Sequence, residues 1–119
     1  MIALLLQVGL GGAIGAALRY VVGVAVVFPY ATVIVNVLGS FLMGVAWIYL
    51  ANRGMDRWMP MVLTGFLGGF TTFSAFSLDT FRLIDEERLF AAGGYVLGSV
   101  LLSVVALFLG VWMMRAIEG

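Results

Sequence analysis

The chain has 119 residues, 64% apolar and only 10% charged, with zero net charge, neither Cys nor His, and a mean hydropathy of +1.18. Soluble domains are nearer half apolar and about a quarter charged, and a chain this short has too little interior to hide the excess, so lipid is the expected solvent. The same composition excludes disulfides, thiol catalysis, ordinary zinc sites, a histidine proton switch and a basic nucleic-acid patch.

A spanning helix needs about 20 mostly apolar residues, and the sequence supplies four such stretches. The expected class is an all-α membrane protein, residues 1–119 forming a single four-helix domain inside the bilayer. The first span is expected from about Ile2 to Phe28, stopped by Phe28-Pro29-Tyr30. It lacks a basic leader region and an evident small-residue cleavage site, so a retained helix is expected and not a signal peptide. Arg19 sits about two thirds along it, placed either to draw anions into a vestibule or to snorkel to the interface.

The second span runs from about Ala31 to Leu50. Thr32, Asn36 and Ser40 recur at i, i+4 and i+8, on one helix face. Polar residues at membrane depth serve either helix–helix hydrogen bonds or a path.

The third span runs from about Trp58 to Leu83, with Gly65, Gly68 and Gly69 in its middle. Glycines weaken a helix. The segment fits either close packing through small residues or a backbone break whose carbonyls hold a cation. Phe70, Phe73 and Phe76 recur every three residues, a lipid-facing or core stripe, or a row of positive ring edges suited to a small anion. Asp79 is expected near the mouth, as a solvated interfacial carboxylate.

The fourth span runs from about Leu89 to Met114 and carries Tyr95, Ser99 and Ser103 at the same four-residue spacing. The pairs Gly11/Gly15 and Gly94/Gly98 predict tight helix contacts. Trp47, Tyr49, Trp58 and Trp112 fall near span ends, where aromatic belts sit.

Loop charge is nearly balanced. Arg53, Arg57 and Arg115 share one side, and Arg82 and Arg88 the other, joined by Arg19 if it snorkels that way. With almost no positive-inside bias, the pattern fits either a small protein that simply has few loop charges or insertion in both orientations followed by antiparallel dimerisation.

Over essentially its whole length the sequence resembles the CrcB/Fluc family of fluoride channels. The resemblance rests on Gly11 to Tyr20, Thr32 to Phe41 and Gly65 to Ser77, three motifs in order on consecutive spans. It implies an antiparallel, dual-topology homodimer in the inner membrane, with its third helix broken at the midplane. It implies two fluoride pores along the subunit interfaces and a structural, untransported Na⁺ at the dimer centre, held by the backbone carbonyls of Gly68 and Thr71. By position in the motifs, Phe73, Phe76, Asn36, Thr32, Ser74, Ser77, Tyr95, Ser99 and Ser103 would line the pore, with Arg19 in the vestibule. Ala75 stands where Thr is frequent, Asp79 where Glu is expected, and Phe70 where an aliphatic residue is common. The main rival is a small dual-topology multidrug/proton antiporter. It needs a titratable carboxylate at depth; the first span has none, and the only candidate is Asp79, near a span end. A packing subunit would not need two polar stripes, and no carboxylate cluster or His/Cys site suggests an enzyme.

Overall fold

The computed structural model describes residues 1–119. The chain is all-helical, with four helical stretches long and apolar enough to cross a membrane. Helix α1 (Ile2–Ala25) is followed by α2 (Tyr30–Asn52). A 3₁₀ turn (Asp56–Trp58) leads into a π-helical segment (Pro60–Leu67) and the short α3 (Gly68–Phe70). Thr71–Phe73 are not helical, and Thr71 is extended (φ −88°, ψ 161°). Then come α4 (Ser74–Asp85) and α5 (Leu89–Glu118).

The ends have local causes. The first helix stops at Ala25, short of the expected Phe28, and Val26 is extended (φ −118°, ψ 136°). A helix running through Pro29 would press its ring on the carbonyl four residues back, which is Ala25. After α2, Gly54 (φ +64°) takes a left-handed turn; its N–H bonds Ala51 and the Met55 N–H bonds Leu50. This is a glycine C-cap that satisfies orphan carbonyls. The turn after α4 has the same pattern with Glu87 (φ 59°) in the glycine position. The last helix runs past Met114 to Glu118, whose carboxylate accepts from Asn52 and pairs with Arg53 at the end of α2. At the opposite end, the Arg82 guanidinium lies 4.0 Å from the centre of the Phe28 ring. These two ties place loop ends together as four alternating spans require.

Glycines decide which helices touch. A Cβ on Gly11 or Gly15 would run into the backbone of Met61 or Phe66, and one on Gly65 or Gly69 into that of Val8 or Gly12. So α1 lies directly on the π-helical segment and α3. In the same way Gly44 faces the Leu107 carbonyl and Gly110 the Phe41 carbonyl, locking α2 onto α5. Gly94 and Gly98, expected to mediate tight contacts, meet nothing within 4 Å in this subunit.

Only 20 of 119 residues are buried, and leucines, valines and aromatics stay exposed along α1 and α5. One copy therefore covers little of its own surface. That surface suits lipid tails or another chain. The small core joins Phe76, Leu83, Ala92 and Tyr95, packing α4 on α5.

Candidate functional site

The site is built around the non-helical residues Thr71–Phe73. Here α2 supplies Asn36, whose Nδ2 donates to the Thr72 carbonyl (2.8 Å) while its Oδ1 accepts from the Thr72 N–H (2.7 Å). One side chain thus satisfies both backbone groups of Thr72, which has no helical partner at the interruption. Thr72 then starts the next helix: its Oγ1 accepts from the Ala75 N–H at 3.1 Å. Thr71 Oγ1 donates back to the Leu67 carbonyl at 3.0 Å. On the other side, Arg19 Nε of α1 donates to the Gly69 carbonyl at 3.1 Å.

Between α2, this segment and α5 runs a groove of about 360 Å³. Its polar lining is Asn36, Ser40, Thr71, Thr72, Ser99 and Ser103, and its apolar lining includes Phe73 and Phe76. No ionisable side chain lines it. Asn36 and Ser40 of α2 thus face Ser99 and Ser103 of α5 across the groove, a meeting that the spacing within each stripe does not itself predict. Asn36 has a second N–H beyond the one given to Thr72. The Ser99 hydroxyl is buried and has no hydrogen-bond partner. A buried orphan donor of this kind costs about 1–3 kcal/mol unless something occupies it.

The phenylalanines do not form one stripe. Phe70 belongs to α3 and stacks on Phe66 (6.3 Å between ring centres, 7° between planes), away from the others. The interruption at Thr71–Phe73 resets the helical phase, so three-residue spacing no longer means one face. Phe73 is 76% exposed, whereas Phe76 is only 9% exposed. Their rings are 5.4 Å apart and tilted by 47°, and Phe76 in turn stacks on Tyr95 at 5.3 Å.

Asp79 is not the solvated interfacial group expected from its place near the span end. It is 8% exposed, and its Oδ2 accepts from Thr32 Oγ1 (2.6 Å) and Tyr95 OH (2.9 Å). The Thr32 and Tyr95 ends of the two stripes thus meet at a carboxylate, and Phe76 links that cluster to the groove. Ser74 and Ser77 stay exposed outside the groove: Ser74 pairs with Thr72 Oγ1 (3.2 Å), and Ser77 bonds the Phe73 carbonyl (3.0 Å). Thr72 is the main site residue the sequence did not single out. Its signal was present, since a Thr ahead of a resumed apolar period is a helix-start residue.

Four membrane-spanning helices, an interrupted third stretch and a groove of hydroxyls, an amide and phenyl rings without an ionisable side chain define a small multi-pass membrane protein. The family model described as "CrcB-like protein, Camphor Resistance (CrcB)" matches residues 6–111, and the chain belongs to this family. It is 50% identical over 125 residues to a protein of Cereibacter sphaeroides named fluoride-specific ion channel FluC, covering 100% of this chain and 98% of the relative. Proteins of the same name from Roseobacter denitrificans and Paracoccus denitrificans are each 47% identical. Those alignments cover 95% and 94% of this chain, and 96% and 94% of the relatives.

Proposed function

We propose that this chain is the subunit of a passive, fluoride-selective channel that lets F⁻ leave the cytoplasm and so limits fluoride toxicity. The observation that carries the reading is the groove, lined by neutral donors and phenyl rings, with the buried Ser99 hydroxyl unpartnered. Fluoride is small and accepts hydrogen bonds strongly. Hydroxyl, amide and ring-edge groups replace part of its hydration without a fixed cation to trap it. The relatives' shared name supports the same solute.

The functional unit is an antiparallel homodimer of dual topology in the inner membrane. Three features support this: balanced Arg placement, a groove open on one side, and the uncovered Gly94–Gly98 face of α5. A second copy would close each groove into a pore. A structural Na⁺ would rest on the carbonyls of Gly68 and Thr71, in a midplane break of the third span. The residues fit such an ion. Thr71 leaves the helical conformation, and the side-chain donors here take the Gly69 and Thr72 carbonyls, leaving Gly68 and Thr71 untouched. A cluster of three carboxylate, His or Cys ligands is absent, so backbone oxygen is the donor this segment offers a hard cation.

The burial of Asp79 gives the antiporter reading the carboxylate it requires. One assay separates the two. Purified protein in liposomes loaded with potassium fluoride should release F⁻ rapidly on valinomycin addition, release no Cl⁻ in a parallel run, and lose flux in Phe76→Ile. Drug-driven proton exchange without F⁻ release would reject the channel.

A further inference from the structure

We infer that Arg19 positions the cation site through its Nε atom, by latching the Gly69 carbonyl and so fixing the backbone that presents the carbonyls of Gly68 and Thr71. The inference rests on the sodium reading above and adds a residue from another helix to it.

The placement follows from α1. Gly11, Gly15 and Arg19 recur every four residues on one face. That face is in backbone contact with the third span: a Cβ on Gly11 would lie 2.9 Å from Phe66 N, and one on Gly15 would lie 2.8 Å from Phe70 N. Arg19 is the next position along the same seam. Its Nε reaches Gly69 at 3.1 Å. Arg19 is thus a packing-face residue, half-buried, and not a side chain released to the interface.

The need for a latch follows from composition. Gly68 and Gly69 have no side chains, so their backbone is intrinsically freer than that of other residues and relies on contacts from neighbouring helices. Asn36 holds the far side of the interruption through Thr72. Arg19 holds the near side through Gly69. The two bonded carbonyls alternate with the two proposed for the ion. The bond is charge-assisted and so among the stronger ones available.

The sign of the charge gives a clean discrimination. A guanidinium beside a cation site repels the cation, so charge removal alone should tighten Na⁺ binding. Removal of the donor should loosen it. Gln carries its Nε2 at the chain position of Arg Nε and is neutral. Lys keeps the charge but has a methylene at that position. Met has neither donor nor charge.

The experiment measures thermal unfolding of the detergent-solubilised dimer against NaCl, with choline chloride holding ionic strength. It compares wild type, Arg19→Gln, Arg19→Lys and Arg19→Met. The expected result is a Na⁺ midpoint at or below wild type in Arg19→Gln. In Arg19→Met and Arg19→Lys the midpoint should rise roughly tenfold or more, the worth of one charge-assisted hydrogen bond. Wild-type behaviour in all three variants would overturn the latch and leave the sodium reading standing. So would a rise in Arg19→Gln equal to that in Arg19→Met. If wild type itself gains no stability from Na⁺ over choline, both readings fail together.

Discussion

Replacing Asn36 tests whether one side chain holds the interruption in the third span. Asn36→Ala removes both bonds to Thr72, at 2.8 and 2.7 Å. A neutral hydrogen bond contributes about 0.5–1.5 kcal/mol net, and side-chain bonds between membrane helices average about 0.6. Two of them, with a backbone N–H and C=O left open, come to about 1–3 kcal/mol. Asn36→Asp keeps the acceptor for the Thr72 N–H but sets a carboxylate oxygen against the Thr72 carbonyl, so it should destabilise at least as much. Unfolding in an SDS titration from mixed micelles reads both. Stability within about 0.5 kcal/mol of wild type for either variant would refute the reasoning, because the bonds would then contribute no more than a contact with lipid or water.

Two further substitutions probe other parts of the architecture. Ser99→Ala removes a buried hydroxyl with no partner, so it should leave stability equal or higher while slowing fluoride release several-fold in liposomes; unchanged flux would take Ser99 off the path. Gly15→Ala would drive a methyl into the Phe66 and Phe70 backbone, costing about 1–3 kcal/mol by overpacking. Gly23→Ala, on the same helix with nothing within 4 Å, should be neutral or stabilising by roughly 0.5–1 kcal/mol. Equal effects at the two glycines would contradict the α1 seam.

Much of the fold was legible because hydropathy and turn chemistry are local properties. The four spans could be read directly; of the two readings open for the third-span glycines, close packing describes Gly65 and Gly69, which lie in helix against Val8 and Gly12. What a face meets is not local. Asp79 looked solvated from its position, yet Tyr95 and Thr32 from two other helices hold it inside. The phenylalanine period failed for a related reason: periodicity presumes one continuous helix, and the chain leaves helical geometry between Phe70 and Ser74. The glycine pairs divided. Gly11 and Gly15 made their contact inside the subunit, whereas Gly94 and Gly98 did not, and Gly44 and Gly110, far apart in sequence, made one that no motif announced.

The glycine seams couple α1 to the third span and α2 to α5, while α1 and α2 barely touch. Membrane helices insert first and associate afterwards, and chains emerge N-terminus first. In this chain the first two helices to be synthesised are not each other's partners. Each waits in lipid until a later helix arrives: the third span meets α1 and gives α2 its bonds to Thr72 and Asp79, and the last supplies α2 with its main packing surface. The first two helices thus do not zip into a hairpin during synthesis, and the bundle closes only when the final helix is in place on both α2 and α4. Biogenesis of so small a protein is therefore a late, concerted event: a ribosome stalled before α5 would leave α2 without its main packing surface.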